Sequence, residues 1–383
     1  QSVDEADISA VNQVLRSQWL TTGPNVSEFE DVFAQETGAK HAVAVSSGTA
    51  ALHAAVYAAG ISYGDEVIVP TMTFAATANC VVYQGGTPVF ADVSPDTLLL
   101  EAVDAERHLT PNTRAMIVVD YAGQPCNYAD LVSLAKANNL TLISDSCHSL
   151  GGSYHGDPVG TLADMSTFSF HPVKHITTAE GGMVTTDRED LAHSMRRFRN
   201  HGINSDHRQR DMEGSWFYEM VDLGYNYRIS DMQCVLGISQ LKKLRQSVIR
   251  RREIANYYDE ALSNMQGINP LEVNINLVHA YHLYVIRIDE SILGLNRAQI
   301  FRGLRAEGIG VNVHYVPVHL HPYYRKKFFT KEGDHPLAES AYSQILSLPM
   351  FPTMNQNDCI DVVKAVSKVS DIVNWEGETM IKP

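Results

Sequence analysis

Three short stretches of this chain carry residues that chemistry could use. The first is Ser46-Ser47-Gly48-Thr49-Ala50-Ala51, directly after the apolar run His41–Val45. A small, hydroxyl-rich turn that opens a helix presents unpaired backbone N–H groups and the positive end of a dipole, which suits a phosphate. Thr49 can add a hydroxyl donor, although Ser and Thr also cap helices that bind nothing. The second is Asp145, just beyond the apolar run Leu140–Ile143. Ligands of open α/β sheets sit beyond the carboxyl ends of the strands, and an Asp there could keep a ring nitrogen protonated. Taken alone, it could equally cap a helix. The third is the run from Phe168 to Gly182, in which Lys174 lies among apolar and aromatic residues. Burial lowers the pKa of an amine, and a lysine that forms a Schiff base must be deprotonated. Ser169 could donate to the same phosphate, and Gly181-Gly182 would allow close backbone approach.

A phosphate turn, then an acid at a strand end, then an isolated lysine is the order of a pyridoxal-phosphate (PLP) site. The elements that must position these groups alternate along the first 240 residues. Short Val/Ile-rich runs at 41–45, 66–69, 88–91, 115–119 and 140–143 read as strands, and 47–59 and 131–138 read as helices. The pattern predicts an α/β domain with a mostly parallel sheet. Ser230 or Asp231 can cap one long helix running to about Met265, with Arg250-Arg251-Arg252 as a solvated basic face. Beyond Gly267 the texture changes. Residues 281–288 alternate like a strand, and Arg297–Glu307 reads as a helix closed by Gly308. A smaller α+β lobe is expected there. The predicted organisation is an N-terminal arm (1–25), a large cofactor-binding domain (26–240) and a small C-terminal domain (241–383).

Composition narrows the function classes. With 383 residues, 44% hydrophobic and 19% charged, the chain is globular and large enough for more than one core. A net charge of −14 argues against a nucleic-acid or anionic-membrane surface. No apolar run reaches the roughly 18 residues of a membrane span, and the acidic start Gln1-Ser2-Val3-Asp4-Glu5 does not read as a signal peptide. A cytoplasmic protein is expected. The five scattered cysteines form no CxxC pair and read as small buried residues. His314, His319 and His321 lack metal-ligand spacing, so no metal is expected. Arg196, Arg197 and Arg199 could attract a pyrophosphate or line a solvated helix face.

The motifs resemble those of the DegT/StrS-type sugar aminotransferases, PLP enzymes of the aspartate-aminotransferase fold (type I). The resemblance runs from Trp19-Leu20-Thr21-Thr22-Gly23-Pro24 to Leu348-Pro349-Met350 and includes Gly224-Tyr225-Asn226-Tyr227-Arg228. It implies that Lys174 holds PLP as a Schiff base and shuttles the proton. Gly48, Thr49 and Ser169 would hold the phosphate, and Ala50 would also contact the cofactor. Phe74 would stack on the ring, Asp145 would pair with the ring nitrogen, and His148 would lie against the cofactor. Asn226 would reach the phosphate of a neighbouring subunit in a homodimer with shared sites. Leu20, Thr21, Thr22, Gly23, Ser47, His171, Arg228, His314 and Tyr315 would contact the substrate. Within the family, His171-Pro172-Val173-Lys174 followed by Ile176-Thr177-Thr178 is similar to the aminotransferase of the pseudaminic acid pathway, which implies a UDP-linked 4-keto-6-deoxy N-acetylamino sugar as acceptor and L-glutamate as donor. Relatives making 4-amino-arabinose or perosamine share the Thr177–Gly182 pattern. Dehydratases of the family carry His in place of the lysine. Spacing from Phe170 and His171 puts Lys174, not His175, at that position. A non-catalytic binding protein would be expected to lack Lys174 or Asp145.

Overall fold

The computed structural model describes residues 1–205, 210 and 214–371, so positions 372–383 of the expected C-terminal domain lie outside the described residues. In chain order the strands are β1 (His41–Val45), β2 (Glu66–Pro70), β3 (Thr87–Ala91), β4 (Thr113–Val119), β5 (Thr141–Asp145), β6 (Ser153–Tyr154), β7 (Asp157–Pro158), β8 (Met165–Ser169), β9 (Gly182–Thr186), β10 (Ile268–Pro270), β11 (Leu277–Val278), β12 (Tyr284–Ile288) and β13 (Ile345–Leu348). Seven of them form one sheet in the order β1-β9-β8-β5-β4-β2-β3. β9 runs antiparallel to both its neighbours, while β3, β2, β4, β5 and β8 pair in parallel. This is the α/β fold with a mostly parallel sheet that the sequence predicts.

The apolar runs are nearly unbroken because both faces of this sheet are covered. Val67, Val69, Ala115, Ile117 and Ile143 pack on one side with the helices Gly48–Ala58 and Ala75–Tyr83. Ile68, Met116, Val118 and Leu142 pack on the other with the helix Tyr128–Ala137. Near β1 and β8, Phe29, Phe33, Phe168 and Phe170 form an aromatic cluster with ring centroids 5.1–6.1 Å apart. A second sheet, β10-β12-β13, lies against the helices Leu244–Leu262, Arg297–Ala306 and Gln356–Ser370.

Three expectations need correction. The single helix predicted from residue 231 to about 265 is two helices, Asp231–Leu241 and Leu244–Leu262. The chain turns at Lys242–Lys243, where the Lys243 ammonium closes on Asp4 at 3.0 Å and Asp7 at 2.6 Å. That break lets one segment pack on the N-terminal helix Glu5–Leu15 and the other on the second sheet. Arg250-Arg251-Arg252 is also not a solvated face throughout. Arg251 is buried and donates to the carbonyl oxygens of Tyr281, His282 and Met350. The strand expected from 281 begins only at Tyr284, because Tyr281 has positive φ and Ala280 and Leu283 bond to the turn at Ala122–Gly123. Gly123 permits that approach, since a Cβ there would lie 2.6 Å from the His148 carbonyl oxygen and 2.8 Å from the Tyr281 nitrogen. Among the described residues no helix is long and apolar enough to cross a membrane.

Candidate active site

The three chemical stretches meet at one edge of the large sheet. β1 leads into the Ser46–Ser47 turn, β2 into Thr71–Phe74, β5 ends on Asp145 and β8 ends on Ser169. Gly182 opens β9 between Val45 and Ser169, its Cα partners on either side. Side chains distant in sequence therefore share the carboxyl end of the parallel strands, where open sheets bind ligands.

Ser47 caps the helix Gly48–Ala58, its hydroxyl accepting from the Ala50 N–H at 3.0 Å. This leaves the Gly48 and Thr49 amides, in the first helical turn, free of intrahelical acceptors. The turn is pressed onto its neighbours. A Cβ at Gly48 would come 2.7 Å from Ser169 Cβ, and one at Gly182 would come 2.4 Å from the Ser47 carbonyl oxygen and 2.9 Å from the Gly48 nitrogen. The contacts at Gly182 are backbone atoms that no rotamer change can move. Gly182→Ala should therefore cost about 1–3 kcal/mol of stability and weaken phosphate binding at the turn. Thermal melts and a titration with cofactor check both, and a variant with unaltered Tm would mean that the turn can shift.

Asp145 is buried, with Oδ2 accepting from Thr77 Oγ1 at 2.8 Å and Oδ1 from the Cys147 N–H at 3.3 Å. Thr77 in turn bonds Thr73 Oγ1 at 2.7 Å. All these partners are neutral, so the carboxylate has room for a cationic one. Lys174 is half-buried on the turn after β8. Its Nζ has no hydrogen-bond partner among the described residues. Burial lowers its pKa from the usual lysine value, opposed by nearby Cys147 and Asp145. Phe74 stands exposed at the start of the helix Ala75–Tyr83. A desolvated, unpaired amine, a buried carboxylate with neutral donors only and a phosphate-ready helix end fit PLP.

His148 is buried, and its Nε2 lies 3.1 Å from Tyr315 Oη. Tyr315 also approaches Phe74, ring centroids 5.8 Å apart. His314 Nδ1 lies 2.9 Å from Ser347 Oγ, and burial pushes the imidazole down to about 4. Leu20–Gly23 reaches this edge through the helix Asp231–Leu241. Asp231 accepts from the Gly23 N–H at 2.7 Å, and Thr21 bridges Ser230. Gln233 of the same helix donates to the Glu180 carbonyl oxygen at 2.5 Å, which ties it to the lysine loop. His171 is exposed, its N–H 3.4 Å from Ser169 Oγ. Arg228 donates to Asn200 Oδ1 at 2.8 Å, while Asn226 is exposed on the surface.

His175 points elsewhere. Its Nε2 lies 3.0 Å from the Ala280 carbonyl oxygen, and burial drives its pKa down to about 3. Arg196 and Arg199 turn inward onto Glu30, and Arg197 lies 3.8 Å from Asp222, so this cluster holds the fold together instead of forming a free anion site. His319 sits between Thr71 and Glu339 at 2.5 and 2.9 Å.

Sequence reasoning missed Thr77 and Asp120. Asp120 follows β4 as Asp145 ends β5, and burial pushes its carboxyl up to about 6. It accepts from Ser149 Oγ, the Cys126 N–H and Tyr128 Oη at 2.6–3.0 Å, fixing the turn that carries His148. Thr77 lies three residues beyond Phe74, within a run whose hydroxyls were a visible signal.

A family model described as the DegT/DnrJ/EryC1/StrS aminotransferase family matches residues 1–367. The UDP-4-amino-4-deoxy-L-arabinose–oxoglutarate aminotransferase of Shewanella sediminis is 38% identical over 374 residues, covering 96% of each chain. Among solved structures, PseC of Helicobacter pylori, an aminotransferase of pseudaminic acid biosynthesis, superposes with a TM-score of 0.90 at 32% identity, over 97% of this chain and 98% of that one. The Spr1654 protein of Streptococcus pneumoniae, solved in its PLP form, gives a TM-score of 0.90 at 31% identity over 97% of both chains.

Proposed function

The chain belongs to the DegT/DnrJ/EryC1/StrS aminotransferase family and is a PLP-dependent aminotransferase, and from that premise we propose that it moves the amino group of L-glutamate to C4 of a nucleotide-linked 4-keto-6-deoxy sugar. The proposed acceptor is UDP-2-acetamido-2,6-dideoxy-β-L-arabino-hex-4-ulose, the substrate of a pseudaminic acid pathway. The observation that carries the reading is the partnerless, desolvated Lys174 amine at the strand edge shared with Asp145 and the Ser47–Thr49 turn. The PseC likeness and the His171-Pro172-Val173-Lys174 loop support the sugar. The arabinose-type relative supplies the alternative acceptor, a UDP-linked 4-keto pentose.

When bound, PLP supplies an electron sink for the carbon attached to the transferred nitrogen. Gly48, Thr49 and Ser169 would seat the phosphate by N–H and hydroxyl donors, with Ala50 packing below. Asp145 would keep the ring nitrogen protonated, held in place by Thr77. Phe74 would cover the ring, and His148 would flank it. Lys174 would hold the cofactor covalently. Once displaced by the donor amine, it would take the proton from the donor's α-carbon and deliver it to the cofactor carbon, then reverse the transfer for the sugar. Leu20, Thr21, Thr22, Gly23, Ser47, His171, Arg228, His314 and Tyr315 would line the acceptor site. His175 cannot substitute for Lys174 while it is bonded to the Ala280 carbonyl, which disfavours a dehydratase.

A homodimer would complete the site. Trp216, Phe217, Met220 and Leu223 are 56–85% exposed and lie just before Asn226, while Phe74 and Val173 are exposed beside the cofactor edge. Such apolar surface supports an interface here, and it is continuous in sequence with the residue proposed to reach a neighbouring phosphate.

A half-reaction screen tests the acceptor. The pyridoxamine-loaded protein is mixed with UDP-linked 4-keto sugars and with sugars on other nucleotides, and recovery of pyridoxal absorbance is followed. The N-acetylated 6-deoxy UDP sugar should respond fastest. A response confined to the pentose or to non-UDP sugars would overturn the acceptor and leave the aminotransferase standing.

A further inference from the structure

A ketone that accepts an amine must also lose its oxygen, and Lys174 serves carbon. The strongest remaining group is Tyr315. Its segment runs from the second sheet to the end of β2. Asn312 bridges Ser347 of β13 in the second sheet, and the Val318 N–H donates to the Thr71 carbonyl oxygen beyond β2 at 2.8 Å. Tyr121 Oη also donates to the His314 carbonyl oxygen. The phenol is thus fixed beside Phe74, within hydrogen-bond reach of His148 Nε2.

The tautomer of His148 decides what that bond does. Its Nδ1 is buried with no hydrogen-bond partner among the described residues. Burial holds the ring well below the usual imidazole pKa, so it is neutral and carries one proton. A buried N–H left without an acceptor is costlier and rarer than an acceptor left without a donor. The proton therefore belongs on Nε2. His148 donates to Tyr315 Oη, and the tyrosine's own O–H is free to point into the site.

We infer that His148, through Nε2–H, orients Tyr315 so that its hydroxyl donates to the ketone oxygen of the amino acceptor and acts as the acid that removes that oxygen as water. The inference rests on the proposed aminotransferase site and adds the group that handles its oxygen. As the amine nitrogen bonds to the ketone carbon, the oxygen takes the Tyr315 proton, and a nitrogen-bound proton restores the phenol. The second nitrogen-bound proton follows the same route, the C–O bond breaks, and water leaves. Both protons on that water come from the amine, and Tyr315 ends unchanged. Burial raises the pKa of Tyr315 above the ordinary phenol value, which keeps it a neutral donor throughout the neutral range.

Two measurements on the full-length dimer or monomer as isolated test this. Nitrogen-15 NMR of histidine-labelled protein, with the His148 signal assigned by its loss in His148→Gln, should show the Nε2–H tautomer. The Nδ1–H tautomer overturns the inference and needs no substrate to observe. In the second arm the pyridoxamine-loaded protein reacts with 2-oxoglutarate, itself a ketone, and with the UDP-linked keto sugar. Tyr315→Phe should slow both about 100-fold with little change in the half-saturating ketone concentration, and His148→Gln, which keeps an N–H donor, should lose less than His148→Leu. Tyr315→Phe rates within about threefold of wild type overturn the inference, as does a loss that merely tracks weakened cofactor binding or a lowered Tm. Failure of the wild type with the sugar but not with 2-oxoglutarate would instead count against the proposed acceptor alone.

Discussion

Lys174→Ala should lower turnover by about 10⁴-fold, because the proposed role of Lys174 is both to attach the cofactor covalently and to carry the proton. The fold should survive. Lys174 is on a turn with no hydrogen bond at Nζ among the described residues, and burial already disfavours its charged form. Removing it relieves a desolvated cation, so the Tm of the cofactor-free protein should hold or rise slightly. The phosphate turn is untouched, so the variant should still bind PLP, but reversibly and without the visible band of the covalent form. Equilibrium dialysis and absorbance distinguish these properties. A variant that kept the band would place the attachment elsewhere.

Asp145→Asn should slow both half-reactions by about 10²–10³-fold, the range seen when one preorganised electrostatic partner is lost from a closed site. Asn is nearly isosteric; its single carbonyl oxygen can keep the Cys147 N–H bond while its amide N–H donates to Thr77 Oγ1, whose hydroxyl can turn to Thr73 Oγ1. The change therefore removes the charge and reverses one hydrogen bond. In the cofactor-free protein Asp145 is a buried carboxylate with only neutral donors, so its replacement should leave Tm unchanged or higher while activity falls. Opposite movements of stability and rate are the signature of a charge kept for a ligand. Rates within about threefold of wild type would mean that Asp145 does not face the ring.

Much of this site was legible because its parts are local. A strand followed by a small-residue turn, a strand ending on Asp, and a lysine between a strand and a glycine pair each announce a place at the sheet edge. Repetition of the αβ pattern then guarantees that those edges lie together. What was illegible depends on contacts between distant segments. Asp120 and Asp145 present the same local signal, an acid after an apolar strand. Only the Ser149, Cys126 and Tyr128 donors around the one, and Thr77 beside the other, separate a fold-holding carboxylate from one available to a ligand. The pairing of His148 with Tyr315 joins residues far apart in sequence, and the diversion of His175 to Ala280 depends on a loop of the second sheet.

The helix expected across 231–265 failed for a related reason. Helix-forming residues flank Lys242-Lys243 on both sides, and nothing in that pair ends a helix by propensity. The turn there is set by two separate packing surfaces and by the ammonium of Lys243 meeting Asp4 and Asp7 near the start of the chain. Arg251 likewise reads as a surface residue in a basic run. Its burial follows from three backbone carbonyls, at 281, 282 and 350, that converge on it and would otherwise lack partners.

Attachment of PLP to Lys174 can be measured directly. The PLP-loaded protein is reduced with borohydride, digested, and its peptides are mapped by mass spectrometry. The expected result is a pyridoxyl mass on the peptide spanning Phe170–Gly182, localised to Lys174, and none in Lys174→Ala. A pyridoxyl group on any other lysine, or a cofactor that is released intact after reduction, would contradict it.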